Sequence, residues 1–328
     1  MLGWTVSIAK GSSVALLAFA SWAAIPSHAQ QFKSSDVEAA DHVSVRAVAH
    51  MNELLRQRSN NRLSIDPGAA DKDSEIFTIA QVRTGTLDMA RLSASALGNT
   101  VPESAVLDLP FLFKSTEHRR RVLAGPIGDE LLAAFSARDL IGLCFFDAGA
   151  RSFYTVAAPV RTAADLRGLR IRVQPASSII QTMKALNAVP MPMPYAQVMA
   201  ALNAGTIDGA ENNLTSYLAS KHYEKAKFYS ATEHTAPPAI LVFSKQRWNR
   251  LSADDQKLIR QAAKEAVPYR DKLEDDEDAA TRTKLAASGV QFVANVDKAS
   301  FSSALAPSYP DLVSDPRIRA LAERIKAE

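Results

Sequence analysis

Hydrophobic residues recur at helical spacing in some segments of the chain and in short unbroken runs in others. Val45, Val48 and Met51 share one face of a helix predicted over 43–58, and the segment Leu63-Ser64-Ile65 predicts a strand. The same patterns predict helices over 75–84, 115–135 (with a break at 125–126), 176–186 and 195–204, and strands over 86–90, 141–146 and 169–173. This alternation predicts an α/β fold.

A six-residue pattern occurs twice. Gly-Thr-x-Asp-x-Ala occupies 85–90 and again 205–210, each time directly after a predicted helix. A common helix-to-strand connection would also give this pattern, and six residues do not prove a duplication. The separation of the copies is nevertheless about the length of one small domain, which favours two similar α/β lobes over one large sheet.

The longest helical signal starts at Ser252, where Ser252 and Asp255 form a capping-box-like start. It continues to about Ala287, with one kink expected at Pro268. Roughly 35 residues at about 1.5 Å each span roughly 50 Å, which is enough to connect two lobes. The acidic run 274–278 is interpreted as the solvated face of this helix and not as a metal site, because consecutive helical residues point in different directions.

Composition narrows the function classes. The chain has 328 residues, with 38 Lys and Arg against 35 Asp and Glu, a balance that argues against a nucleic-acid-binding protein. A single cysteine, Cys144, excludes an internal disulfide and a Cys-rich zinc site, and its apolar surroundings predict burial. The usual catalytic and phosphate-binding motifs are absent, so we expect neither catalysis, nor a cofactor, nor a metal.

The first 29 residues have the order of a secretory signal peptide. One base, Lys10, precedes an apolar stretch at 14–25, and Pro26 is followed by Ser27-His28-Ala29. A membrane anchor is the alternative, but this stretch is shorter than the ~20 residues that span a bilayer. We therefore expect cleavage after Ala29 and export to the periplasm.

Arginines and amides cluster near the ends of predicted strands. Arg151 follows the strand that ends near 146, Arg172 lies at the end of the strand over 169–173, and Asn212 and Asn213 follow an extended segment. Ligands of open α/β sheets bind beyond the strand ends, and a guanidinium group matches a carboxylate with two charge-assisted hydrogen bonds. For Arg170 and for the run 119–121 an ordinary surface ion pair is the preferred interpretation.

At these residues the sequence resembles the solute-binding proteins of tripartite ATP-independent periplasmic (TRAP) transporters, the DctP family. The resemblance follows the family order over most of the chain after residue 31. The matching segments are 85–89, 107–113, 149–154, 165–173, 190–195, 208–213 and 248–252.

The resemblance implies two α/β lobes that close on a ligand and are tied by a long helix. The expected division is a first lobe of 30–148 with 238–277 and a second of 149–237 with 278–328. The implied partners are a small organic acid and the two membrane subunits of a TRAP transporter, and a monomer is expected.

Four site residues follow from the family motifs. Arg172 is expected to clamp the ligand carboxylate, Arg151 to add a polar or ionic contact, Asn212 to donate a hydrogen bond, and Tyr195 to pack against the ligand.

Four further residues are weaker candidates for ligand contact. His42 and Glu75 of the first lobe are weighed evenly between a ligand contact and ordinary capping or surface positions. The segment 66–73 lacks a Leu-Gly pair often found in the family, which bears on Glu75. Glu211 and Asn213 complete the set, and Asn213 replaces a proline common in the family.

The motif combination resembles family members that bind sugar acids, particularly hexuronates such as glucuronate and galacturonate. A C4-dicarboxylate or a keto acid is the alternative ligand. An enzyme acting on a sugar acid and a sensory protein that presents its ligand to a receptor are the alternative functions.

Overall fold

The computed structural model describes residues 1–4, 29–68 and 74–328. Most of the predicted signal peptide, and residues 69–73 of the segment that departs from the family pattern, lie outside these ranges. The helices of the described ranges are α1 Val43–Arg58, α2 Glu75–Thr84, α3 Ala94–Gly98, α4 Thr116–Ala124, α5 Pro126–Ala134, α6 Ser177–Ala185, α7 Val198–Ala204, α8 Leu214–Ala219, α9 Lys245–Trp248, α10 Ala253–Ala287, α11 Lys298–Leu305, α12 Tyr309–Leu312 and α13 Pro316–Ala327. None of them is both long enough and apolar enough to cross a membrane.

The strands form two separate sheets. They are β1 Gln30–Ser35, β2 Leu63–Asp66, β3 Met89–Ser93, β4 Leu140–Phe146, β5 Arg151–Thr155, β6 Arg170–Val173, β7 Val189–Pro192, β8 Gly209–Asn212, β9 Phe228–Thr235, β10 Ala239–Ser244 and β11 Gln291–Val293. The first sheet has the order β2-β1-β3-β10-β4 and the second the order β11-β9-β5-β8-β6-β7. The predicted α/β fold with two lobes is confirmed, because each sheet is covered by helices and has its own apolar cores.

The first and last helices of the described residues, α1 and α13, pack on the first sheet. Helix α1 lies against α10 and β2, and its apolar face contributes Val48, Met51 and Leu55 to the core. Helix α13 contributes Ile318, Leu321 and Ile325 to the other core of the first lobe. The structure therefore differs from the expected division, which assigned the C-terminal segment to the second lobe; its apolar stripe finds its partners in the first.

Four segments of the described chain connect the lobes; the last of them, residues 306–315, joins α11, which packs in a core of the second lobe, to α13 of the first. Residues 147–150 join β4 to β5, residues 236–238 join β9 to β10, and α10 runs along both lobes. Near its start α10 buries Ile259 and Ala263 in a core of the first lobe, and near its end it buries Leu285 in a core of the second. The predicted connecting helix is thus confirmed, with Ser252 as its N-cap and Pro268 inside it.

The two copies of the repeated pattern occupy equivalent positions. Gly85 ends α2 with φ +74° and Gly205 ends α7 with φ +65°, the left-handed conformation that glycine adopts most readily. After each turn an aspartate accepts a backbone N–H from the neighbouring strand: Asp88 from Lys33 at 2.9 Å and Asp208 from Arg170 at 2.8 Å. The repeat therefore performs the same structural task in both lobes.

A network of charges surrounds the 147–150 connection. Asp147 is buried and accepts hydrogen bonds from Arg119 Nε at 2.7 Å and Arg120 Nε at 3.0 Å, and Arg120 also binds Asp275 of α10. The interpretation of 119–121 as surface residues is wrong for Arg119, which is 3% exposed. The acidic run is likewise more than a solvated face, because Glu274 bonds to Thr215 of α8 at 2.7 Å.

Candidate functional site

A cavity of about 480 Å³ lies between the lobes and has walls from both. We call it the inter-lobe cavity; its charged and amide-bearing lining residues are Glu38, Glu75, Arg91, Arg151, Arg172, Gln174, Asn212 and Asn213. A neighbouring space of about 330 Å³ shares Glu75, Arg172, Gln174 and Tyr195 with it. The lining is unusually rich in charge for a small-molecule site.

The directions of three neighbouring strands in the second sheet explain why the predicted residues meet. Strand β6 is parallel to β8, whereas β5 is antiparallel to β8 with Ser152 opposite Asn212. The start of β5 therefore lies on the same side of the sheet as the carboxyl ends of β6 and β8. Arg151, Arg172 and Asn212 come together there, as the sequence predicted, although Arg151 begins a strand instead of following one.

Arg172 is a buried cation that has no carboxylate partner in the described part of the chain. Its side chain is 2% exposed, and its Nε and Nη2 groups donate to the backbone oxygen of Met193 at 3.1 and 2.9 Å. The guanidinium carbon lies 5.9 Å from the centre of the Tyr195 ring. No carboxylate of the described residues lies within 4 Å of it, and burial lowers its pKa because the charged form loses hydration. An anionic ligand would supply the missing partner.

Arg151 is neutralised inside its own lobe. Its Nε donates to Glu211 Oε2 at 2.5 Å and its Nη2 to Glu211 Oε1 at 2.8 Å, while its Nη1 donates to Asn212 Oδ1 at 2.6 Å. The Asn212 oxygen also accepts the Asn213 N–H, so the Nδ2 group of Asn212, which bonds to none of the described residues, remains to donate toward the cavity. Arg151 thus contributes a polar group to the cavity wall, and Glu211 behind it balances the charge.

A third arginine, missed by the sequence analysis, belongs to the first lobe. Arg91 of β3 donates through Nε to Asp36 Oδ2 at 2.7 Å, and its Nη2 donates to the other oxygen of Asp36. Both residues are buried, and the carboxylate of Asp36 raises the pKa of Arg91. A charged residue in the otherwise apolar buried strand β3 is the signal that could have identified it.

Two carboxylates of the first lobe reach the second. Glu38, also missed, accepts a hydrogen bond from Ser216 Oγ at 2.7 Å and lies 3.5 Å from the Tyr195 hydroxyl. Glu75, which was predicted, accepts the Ser93 N–H at 2.6 Å and the Gln174 amide at 3.0 Å. The lobes are therefore in direct contact around the cavity, as in a closed binding protein.

Two predicted contact residues do not line the cavity. Glu211 is fully buried with both oxygens on Arg151, so it lies behind the wall. His42 is the N-cap of α1, where Nδ1 accepts the Ser44 N–H at 3.2 Å, and burial together with the nearby Arg91 lowers its pKa to about 3. The capping interpretation fits His42, and a supporting position fits Glu211.

The remaining predicted residues, Tyr195 and Asn213, do line the cavity. Tyr195 donates its hydroxyl to the Ser216 backbone oxygen at 3.0 Å, which holds the ring beside Arg172. Asn213 is the N-cap of α8 and accepts the Ser216 N–H at 2.7 Å. Asparagine at this position therefore fixes the start of a helix as well as facing the cavity.

Cys144 and the described acidic groups do not indicate a reactive thiol or a metal site. Cys144 is buried, and burial raises the pKa of its thiol, so the reactive thiolate is disfavoured. Among the described residues no group of three or more His, Cys, Asp and Glu side chains could hold a metal ion.

Comparison with known proteins gives one family. The DctP family, described as bacterial extracellular solute-binding protein, family 7, matches residues 34–315. A TRAP periplasmic solute-binding protein from Bradyrhizobium sp. BTAi1, in complex with galacturonate, superposes with a TM-score of 0.88 at 45% identity, over 91% of this chain and 100% of that one.

Two other relatives bind related acids. A TRAP periplasmic solute-binding protein from Pseudomonas putida F1, with bound D-glucuronate, has a TM-score of 0.87 at 34% identity, covering 91% of this chain and 97% of that one. The 2,3-diketo-L-gulonate-binding periplasmic protein YiaO of Escherichia coli K12 is 32% identical over 268 residues, 81% of each chain.

Proposed function

The chain belongs to the DctP family of extracellular solute-binding proteins, the substrate-binding subunits of TRAP transporters, and from this we propose that it binds a hexuronate, D-galacturonate or D-glucuronate, between its lobes. The family consists of binding proteins and not of enzymes. The observation that carries the proposal is Arg172, a buried guanidinium whose hydrogen bonds, within the ranges the structure describes, go to one backbone oxygen.

The charges of the cavity support a monocarboxylate with hydroxyl groups over a dicarboxylate. Arg91 and Arg151 are already paired with Asp36 and Glu211, so Arg172 is the arginine of the described lining that is left for the ligand. The first lobe faces it with the carboxylate of Glu75, and the oxygens of this carboxylate would repel a second ligand carboxylate. Hydroxyl groups, in contrast, can donate to them.

In the proposed mechanism the ligand carboxylate binds the second lobe first. Arg172 and the amide of Asn212 orient it, and Tyr195 packs beside it. The hydroxyl groups then contact Glu38, Glu75 and Arg91 as the first lobe closes. Because these contacts join both lobes, the ligand shifts the equilibrium toward the closed form.

We further propose that the protein is exported with a signal peptide cleaved after Ala29, acts as a monomer and delivers its ligand to the two TRAP membrane subunits. Family membership supports this assignment, and so does the n-region, apolar stretch and small-residue order of 1–29. We also propose the lobe boundaries given above, except that the C-terminal helix belongs to the first lobe.

The test is a calorimetric titration of the mature protein with D-galacturonate, D-glucuronate, L-malate and succinate. We expect the uronates to bind and the dicarboxylates to bind at least about tenfold more weakly, which corresponds to about 1.4 kcal/mol. Tighter binding of malate or succinate than of either uronate would contradict the proposal.

A further inference from the structure

Gln174 lies at the point where the two lobes meet inside the cavity. It follows β6 directly, two residues beyond Arg172, and lines both the inter-lobe cavity and the neighbouring space. Its side chain is 9% exposed. The Nε2 group donates to Glu75 Oε2 and to Ser93 Oγ, each at 3.0 Å, and both acceptors belong to the first lobe.

The carboxylate of Glu75 fixes the orientation of this amide. If the amide were rotated by 180°, its oxygen would face a carboxylate oxygen and two hydrogen bonds would be lost. In the observed orientation Oε1 is buried and has no hydrogen-bond partner among the described residues. A buried amide oxygen without a donor is destabilising, so the site favours a donor at this point.

We propose that Gln174 determines specificity for a hydroxylated ligand: its Oε1 accepts a hydrogen bond from one ring hydroxyl, while its Nε2 ties the lobes together. The inference rests on the proposed function and identifies which residue recognises a hydroxyl group. A ligand carboxylate or ring oxygen cannot satisfy Oε1, because neither donates a hydrogen bond.

The dual contact of Gln174 couples recognition to closure. Glu75 and Ser93 meet the amide only when the lobes are together, and these contacts hold Oε1 in place. A ligand hydroxyl that bonds to Oε1 therefore stabilises the closed form in particular. A ligand that lacks this hydroxyl leaves the amide oxygen buried and unpaired in the closed form.

A thermodynamic cycle tests the inference. Wild-type protein and Gln174→Met, which keeps the approximate length of the side chain and removes both polar atoms, are titrated with D-galacturonate and with its 1-, 2-, 3- and 4-deoxyfluoro analogues. Fluorine cannot donate a hydrogen bond. We expect one analogue to bind wild-type protein about tenfold more weakly than galacturonate and to bind Gln174→Met with no additional loss.

Asn99→Ala is the matched control. Asn99 donates to the Pro175 backbone oxygen at 2.8 Å across the lobes, but it does not line the cavity. We expect this variant to weaken binding of galacturonate and of every analogue by the same factor, because it affects closure alone.

The possible results separate the inference from the proposed function. If wild-type protein binds galacturonate and the loss for every analogue is the same in Gln174→Met as in wild type, the inference is overturned and the proposed function stands. Failure of wild-type protein to bind either uronate would overturn both.

Discussion

Glu211 binds Arg151 through both of its oxygens, at 2.5 and 2.8 Å, and thereby leaves Arg172 as the one arginine of the cavity without a carboxylate partner among the described residues. Three arginines line the cavity, and Arg172 is the one among them whose charge is not already balanced by a described carboxylate, so a ligand anion gains most by pairing with it. The paired arginines shape the wall and offer hydrogen-bond donors.

Arg172→Gln should reduce uronate affinity by about 30-fold or more, because truncating one member of a buried charge pair costs about 2–5 kcal/mol of binding free energy. The melting temperature of the ligand-free protein should stay the same or increase, since Arg172 is itself a buried charge with no acidic partner among the residues described. Calorimetric titration and thermal unfolding measure the two effects.

Arg170→Gln is the matched control for Arg172. Arg170 lies on the same strand two residues earlier, but it is paired with Asp208 at the surface and does not line the cavity. We expect its affinity for uronates to remain within twofold of wild type. Comparable losses in the two variants would refute the assignment of Arg172 as the carboxylate ligand.

Glu211→Gln should lower the free energy of unfolding by about 3 kcal/mol or more, because it leaves Arg151 buried without its counter-charge. Asp208→Asn, which breaks the exposed pair with Arg170, should cost less than about 1 kcal/mol. Urea unfolding followed by circular dichroism gives both values. Equal losses in the two variants would show that burial of the Arg151 pair is unimportant.

Glu75→Gln should improve the binding of malate relative to galacturonate severalfold. The change removes a negative charge that faces Arg172 across the cavity, and it also weakens a contact to Gln174. Glu103→Gln removes the same charge from the first lobe away from the cavity and serves as the control. An unchanged malate-to-galacturonate ratio in Glu75→Gln would argue against charge as the basis of the selectivity.

Three buried histidines should make the protein less stable in acid. Burial lowers the pKa of His42 and His222 to about 3 and that of His234 to about 4. Between pH 6.5 and these values the unfolded chain binds protons that the folded protein does not, so stability falls as the pH falls. At pH 5 each histidine contributes a loss of about 2 kcal/mol.

Asp108 opposes this effect over part of the same range. Burial raises its pKa to about 6, so the folded protein binds its proton more readily than the unfolded chain, and this contribution to stability falls as the pH rises from about 4 to 6. Three histidines outweigh one aspartate, and the net slope of stability against pH should remain positive.

His42→Asn isolates one of the histidines. Asparagine is a good N-cap and does not titrate, so the start of α1 should be preserved. Relative to wild type, the variant should gain about 2 kcal/mol of stability on going from pH 7.5 to pH 5, measured by urea unfolding. Its uronate affinity should stay the same at pH 7.5, because His42 does not line the cavity; a large loss there would restore the predicted ligand contact.

The sequence predicted those parts of the site that depend on local order along the chain. Arg172 and Asn212 lie at the carboxyl ends of β6 and β8. These strands are parallel neighbours, so their carboxyl ends lie side by side. Glu211 was predicted to contact the ligand, although the alternation of side chains along a strand argues against it. Neighbouring residues of a strand point to opposite sides, so Glu211 and Asn212 cannot both face the cavity.

Other features depend on how distant segments pack. Glu38 follows β1 in a loop, and only the closed arrangement brings it to Ser216, 178 residues later. The apolar stripe of α13 is visible in the sequence, but nothing local indicates which lobe it covers. Arg119 was taken for a surface residue because its neighbours are charged, whereas its partner Asp147 lies 28 residues away.

The solitary charge of Arg172 gives the molecule a means of signalling occupancy. Closure without an anion would bury the guanidinium group with one backbone oxygen as its hydrogen-bond acceptor among the described residues. Closure around a carboxylate would give the guanidinium group an ionic partner. The empty protein is therefore biased toward the open shape and the loaded protein toward the closed one. A membrane partner that binds only the closed conformation would distinguish the ligand-bound from the ligand-free protein without contacting the ligand.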